Sequence, residues 1–175
     1  MHSRLALGAL CAAILSIPLA LNAQESRNRV AAYTDWSVFE AEDPNQCWSV
    51  SSPKETVNTR DGRVVAVRRG DILLFVSFIP NSNVKGQVSF TGGYPFREES
   101  TVTLQIGDQT FDLFTQGEMA WAKDEADDAR IVAAMKAGAD AVLTGSSSRG
   151  TKTEDTFSLF GFTAAVEEAE QRCSS

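Results

Sequence analysis

Gly145–Cys173 reads GSSSRGTKTEDTFSLFGFTAAVEEAEQRC, and a change of period inside it decides the fold. Thr151, Thr153, Asp155, Phe157 and Leu159 recur every second residue, the period of a strand with one buried face. Phe162, Ala165, Val166, Ala169 and Cys173 then recur at helical spacing and share one side of a helix over 161–173. Glu167, Glu168, Glu170 and Gln171 turn to water. The helix therefore carries Cys173 on its buried side, where a thiol meets a partner.

The other end of the chain points to a compartment. Met1–Arg4 carries one positive charge, Leu5–Leu21 is almost wholly apolar or small, and Ala23 suits the position before a cleavage. This is the layout of a secretory signal peptide over 1–23. The apolar run is short for a membrane span and is interrupted by Pro18, so no span is expected after cleavage. Cys11 lies inside the apolar run, with Leu10 before it where a lipoprotein signal wants a small residue, and leaves with the signal.

Removing 23 of the 175 residues leaves 152, enough for one domain with a core. Arg4 departs, so the formal charge moves from −7 to −8. An exported chain this acidic is a poor partner for nucleic acid or anionic lipid. The one histidine, His2, departs as well. Without it the chain builds no Ser-His-Asp or Cys-His site and no zinc site that needs imidazole. No catalytic residue, metal site or cofactor is expected.

Cys47 and Cys173 remain. In an oxidising compartment they allow one internal bridge, the alternatives being two free buried thiols or an intermolecular link. An internal bridge would contribute about 4–5 kcal/mol in the chain-entropy picture, before native strain is subtracted.

From its new start the chain opens with a loose polar leader, 24–32, followed by one β-rich domain, 33–175. Tyr33–Glu40 and Cys47–Ser51 read as strands around a turn at Glu42–Asn45. Ser52–Gly62 reads as a polar loop or hairpin end. Val64–Val67 and Asp71–Ile79 are rich in Val, Ile, Leu and Phe and read as strands, the second buried on both sides. Arg68-Arg69-Gly70-Asp71 between them contains the adhesion tripeptide Arg-Gly-Asp, but a hairpin turn explains the same residues. Arg60, Arg63, Arg68 and Arg69 form the one basic run, read as a solvated edge that discourages strand pairing. After a turn at Pro80–Gly86, Gln87–Thr91 reads as a strand, and Gly92–Pro95 as a loop.

The clearest hairpin is Thr101–Ile106, Gly107-Asp108, Gln109–Phe114. Glu118–Lys123 adds a strand around Trp121. A first helix spans 125–137: Asp124, Asp127 and Asp128 suit its N-terminus, and Lys136 with Gly138 its exit. Those acids lack the ligand alternation and glycine of a calcium loop, so they read as capping residues. Ala141–Thr144 pairs with Thr151–Leu159. The whole is mainly β: a β-sandwich-like single domain with roughly eight or nine strands and two short helices.

The most site-like polar cluster is the turn Ser146, Ser147, Ser148, Arg149 and Lys152, a candidate ligand loop whose backbone N–H groups and charge could meet a small anion. A long polar hairpin loop explains it without a ligand and is the preferred reading. A Ser-Lys pair with Lys152 would need a buried lysine, which so polar a loop does not offer.

Trp36-Ser37-Val38, Cys47, Met135-Lys136-Ala137-Gly138, Ser148-Arg149-Gly150-Thr151 and the run Phe157-Ser158-Leu159-Phe160-Gly161-Phe162-Thr163-Ala164-Ala165 to Cys173 together resemble the invasion-associated locus B family of exported bacterial proteins. The resemblance implies a compact, mainly β domain of the periplasm or cell surface, linked in pathogens to entry into host cells. Members also occur in bacteria that invade nothing, and no catalytic residue carries over. Many members have a further central cysteine pair, which this chain lacks. Two functions follow as expectations. One is a non-enzymatic envelope protein that binds an envelope or surface protein, or supports the envelope. The other is a periplasmic small-molecule or anion-binding protein using the Ser146–Lys152 loop. A pocket lined by Arg149 beside a buried carboxylate favours the second; exposed Tyr94, Phe96 or Trp121 favours a protein partner.

Overall fold

Alternating burial runs through most of the chain after Tyr33, and the chain uses it to build one antiparallel sheet. The computed structural model describes residues 28–43 and 45–174. The expected signal peptide, with Cys11, and residues 24–27 of the leader lie outside them.

The strands are β1 (Arg29–Tyr33), β2 (Trp36–Glu42), β3 (Asn45–Ser51), β4 (Glu55–Arg60), β5 (Arg63–Val64), β6 (Leu73–Ile79), β7 (Val84–Thr91), β8 (Thr101–Ile106), β9 (Gln109–Gln116), β10 (Met119–Trp121), β11 (Asp140–Ser146) and β12 (Lys152–Ser158). Their order across the sheet is β1-β2-β3-β6-β7-β10-β9-β8-β11-β12-β4-β5. Inward positions alternate strictly on β6 (Leu74, Val76, Phe78), β8 (Val102, Leu104, Ile106) and β11 (Ala141, Leu143). Each of these strands has one apolar face, so the sheet must bury it.

It does so by folding over on itself. The indole N–H of Trp36 at the start of β2 donates to the Ser158 carbonyl at the end of β12, 3.0 Å away. The Asp35 N–H reaches the Phe160 carbonyl at 3.2 Å. Between the facing halves, Phe90 of β7 meets Phe157 of β12 edge-on at 6.1 Å. The result is the β-sandwich-like single domain expected.

Two helices close it. In α2 (Phe162–Arg172) Phe162, Ala165, Val166 and Ala169 are buried, on the side their spacing predicts. Phe162 packs edge-on against Trp36, 4.8 Å between rings. Gly161 makes the entry turn at φ +88°, and a Cβ there would lie 2.1 Å from the Tyr33 carbonyl oxygen, so only glycine fits. Cys173 at the exit is joined to Cys47 on β3.

The other helix, α1 (Glu125–Ala137), starts at the Asp124 cap, whose carboxylate accepts from the Asp127 N–H at 2.9 Å. It buries Ile131, Ala134 and Met135. Asp128 is buried too, and accepts the Val88 N–H of β7 at 2.7 Å, beside the short strand β10. The acidic cluster is thus spent on capping and on the sheet.

Four expectations change. β6, expected to be buried on both sides, buries alternate residues and leaves Leu73, Phe75, Ser77 and Ile79 half-buried on its outer face. Arg29–Ala32, expected in a loose leader, belongs to β1, because its backbone pairs with β2. Of the two readings of 52–62, loop or hairpin end, the second holds: Glu55–Arg60 is strand β4, which turns through Asp61-Gly62 into β5 and whose backbone pairs with β12 although its side chains are mostly exposed. No hairpin joins Val64 to Leu73. The chain there runs irregularly, because Arg69 is drawn inward. The described strands therefore number twelve.

The bridge spans 126 residues. Cys47→Ala is expected to lower unfolding free energy by up to about 5 kcal/mol. Reductant should bring the wild-type melting temperature down to that of the variant. Equal melting of oxidised wild type and variant would refute the bridge's stabilising role. Burial raises the Asp128 carboxyl above its ordinary value of 3.8, opposed by the Val88 hydrogen bond. A raised pKa means the group's stabilising contribution is complete below the unfolded value and is lost as pH rises through the folded one. Asp128→Asn keeps an acceptor for Val88, so it should gain stability relative to wild type as pH rises above about 4, read as melting temperature against pH.

Candidate basic cleft

Three arginines of the basic run, Arg60, Arg68 and Arg69, and the distant Arg149 line one cavity of about 530 Å³. Arg60 ends β4, Arg68 and Arg69 come from the irregular stretch before β6, and Arg149 caps the β11–β12 turn. Tyr94, Thr151 and Thr153 form the more buried wall; Pro95, Glu118 and Ser148 stand at the exposed rim.

Arg69 sets this arrangement. Its two terminal nitrogens donate to the two carboxylate oxygens of Asp155 at 2.7 and 2.6 Å. The Arg69 side chain is 6% exposed and that of Asp155 0%. Its Nε donates to the Gly92 carbonyl at 2.8 Å, and its guanidinium lies 5.0 Å over the Tyr94 ring. The Tyr94 hydroxyl in turn lies 2.6 Å from Thr153 Oγ1. Burial pushes both the Asp155 carboxyl and the Tyr94 hydroxyl up, while Arg69 opposes the rise at each. Gly93 makes the close approach possible. At φ +69° its missing Cβ would lie 2.6 Å from the Gly70 oxygen, and its carbonyl accepts the Gly70 N–H at 2.9 Å.

Arg69 is therefore structural, and the expected solvated edge and hairpin are both corrected at this residue. A bidentate pair with a buried carboxylate outweighs hydration of the guanidinium. The arginine of the Arg-Gly-Asp tripeptide is consequently not presented for adhesion. Arg60 donates once, to Thr151 Oγ1 at 2.7 Å. Arg68 and Arg149 are exposed and have no ion pair among the described residues.

The serine turn divides. Ser147, Ser148 and Arg149 line the cleft. Ser146 and Lys152 instead form a rung of the β11–β12 ladder, and Lys152 is exposed. The turn's N–H groups are largely spent inside the protein. Ser147 donates to Thr151 O, Ser148 to Pro95 O, Gly150 to Ser147 O, and Thr151 to the Ser147 hydroxyl. An anion here would meet guanidinium groups, not a nest of backbone donors.

Sequence reading found Arg149 and the serines but missed Asp155, Tyr94 and the role of Arg69. One signal was present. Asp155 falls on the buried face of its strand, and a charge there demands a partner. Phe96, weighed as an exposed aromatic, is buried at 5% behind the cleft. Trp121 lies on the outer face of the sheet. Among the described residues no group of three His, Cys, Asp or Glu side chains is placed to hold a metal ion, and no helix is long and apolar enough to cross a membrane.

Arg69→Ala strands a buried carboxylate and should cost about 3–5 kcal/mol in urea unfolding. The double replacement Arg69→Met with Asp155→Leu should recover much of that loss. Arg149→Ala should stay within about 0.5 kcal/mol of wild type. An Arg69→Ala protein as stable as wild type would remove the pair from its structural role.

Comparison with known proteins agrees with this architecture. A crystal structure of invasion associated protein B from Bartonella henselae superposes with a TM-score of 0.57 at 18% identity, covering 83% of this chain and 98% of that one. At that identity the likeness is one of fold. No curated protein matches the sequence. The profile described as invasion associated locus B (IalB) protein matches residues 36–170, from Trp36 on β2 to Glu170 on α2. That span takes in most of the sheet and both helices, and the chain belongs to the invasion associated locus B (IalB) protein family.

Proposed function

We propose that this protein is an exported, non-catalytic binding protein whose ligand is a small anionic molecule held in the basic cleft. One observation carries the reading. In a chain of net charge −7, Arg68 and Arg149, which have no ion pair among the described residues, line one cavity of about 530 Å³ together with Arg60. That volume is in the range of small-molecule sites. Guanidinium groups match carboxylate, phosphate or sulfate oxygens in a planar fork. Arg69, held by Asp155, keeps the irregular stretch in place and so aims Arg68.

Binding is favoured over catalysis because the Ser147 hydroxyl is engaged by the Thr151 N–H and Lys152 is exposed in the strand ladder. Phe96 is buried and Tyr94 lies inside the cleft, so for this site the small anion is favoured over a docked protein. The Cys47–Cys173 bridge fits a location outside the cytoplasm, and the apolar N-terminal segment agrees with periplasmic or secreted placement.

Citrate, inorganic phosphate and sulfate, added singly at low ionic strength, test the reading. At least one should raise the melting temperature. The gain should vanish in the Arg68→Ala/Arg149→Ala double variant and shrink as screening shortens from about 10 Å at 0.1 M salt to about 3 Å at 1 M. An equal gain in the double variant, or none with any anion, would sink it.

A further inference from the structure

The outer surface of the sheet is split in a way that the cleft does not explain. On β2, β3, β6, β7, β10 and β9 the cross-strand register lines up the outward positions. One row runs Val50, Phe75, Ser89, Trp121, Phe114. The row beside it runs Phe39, Trp48, Ser77, Gln87. Neither row holds a charged side chain, in a chain that is 22% charged. On the other half, outward positions read Thr103, Thr144, Glu154 and Gln105, Val142, Thr156, with no ring among them.

Among the described residues no helix packs over the aromatic half. The buried residues Ile131, Met135, Phe162 and Val166 of the two helices join the core on the inward side, with Val76 and Val88. The outward rings pack on one another instead. Phe39 and Trp48 stack at 5.5 Å and 8°, and Phe114 and Trp121 at 5.6 Å and 29°. Phe114 is 48% exposed. Two hollows open along the rows. One of about 220 Å³ lies against Trp48, Phe75, Ser77 and Ser89, and one of about 380 Å³ against Phe114, Trp121, Gln87 and Gln116. Three strand spacings separate Trp48 from Trp121, roughly 14 Å.

We propose that this face binds a neutral oligosaccharide chain. A sugar ring offers an apolar C–H face and a hydroxylated edge. Flat aromatic rings accept the first. Ser77, Ser89, Gln87 and Gln116 supply donors and acceptors for the second, and among the described residues their side chains are engaged by no other group. An acyl surface or a protein anchor would want continuous apolar area, whereas here serine and glutamine stand between the rings. The larger hollow is also lined by Lys85 of β7 and by Lys123, Asp124, Glu125 and Asp128 at the start of α1, two cations and three acids, a mixture of signs that selects no strongly charged ligand. The two separated hollows select a chain over a single sugar.

Two of the three tryptophans, Trp48 and Trp121, lie on this face, while Trp36 is buried at 1%. Intrinsic fluorescence therefore reads the site directly. Chitotetraose, cellotetraose and maltotetraose are titrated into the mature protein. At least one should give a saturable emission change and bind more tightly than its monosaccharide. Trp48→Ala and Trp121→Ala should each weaken binding by about tenfold or more without lowering the melting temperature appreciably. The Arg68→Ala/Arg149→Ala variant and added salt should leave it unchanged, which separates this site from the cleft. No saturable change with any of the three, or tryptophan variants that bind like wild type, would overturn the proposal. So would a wild-type dimer in sedimentation that the tryptophan variants abolish, since the face would then be a self-association surface.

Discussion

The twelve described strands form an antiparallel sheet whose inward face must be buried by closing the sheet on itself, and the closure rests on Trp36. Its ring is 1% exposed and packs edge-on against Phe162, while its indole N–H satisfies the Ser158 carbonyl. One side chain thus ties β2, the end of β12 and the first turn of α2. An indole buried this deeply needs a partner for its N–H, and only the folded-over sheet supplies it. The Cys47–Cys173 bridge holds the other end of α2 against β3. Together the two contacts pin a short helix across the opening of the sandwich, where its apolar stripe completes the core.

The basic cleft depends on a different kind of constraint. A buried carboxylate on β12 is tolerable only with a cation and a full set of hydrogen bonds. Arg69 meets that demand, and in doing so it drags a stretch without regular structure against the Gly92–Tyr94 loop. The price is one arginine removed from solvent. The consequence is that Arg68 and Arg149 line the same cavity as Arg69 and have no ion pair among the described residues. Order in the cleft therefore comes from the residues that do not face the solvent, and charge from those that do.

The outer surfaces follow from strand register. In a sheet with period two, each inward row creates an outward row, and its composition is free to vary with what lies outside. One half of this sheet carries threonine, glutamine and glutamate outward; the other carries phenylalanine and tryptophan. Core formation requires no such difference, because both halves turn mostly apolar side chains inward, with Thr153 and the paired Asp155 of β12 as exceptions.

Much was legible from periodicity alone. The hairpin β8–β9, the helix α1 with its Asp124 cap, the pairing of β11 with β12 and the buried face of α2 follow from local spacing, since their hydrogen bonds and apolar stripes connect neighbours in the chain. The Cys47–Cys173 bridge was legible as the one internal pairing that the two cysteines allow. The pairing of β4 with β12, the path of Arg68–Asp71 and the gathering of four arginines were not. Each depends on a contact across 86 residues or more, such as Thr151 with Arg60 or Asp155 with Arg69. By itself the sequence determined a stapled, acidic, mainly β domain with an apolar face on each half. Only the tertiary structure decided which charges are buried, which are left over, and which outward rows share a surface, because those depend on strand order, and strand order is set by how the closed sheet buries its faces.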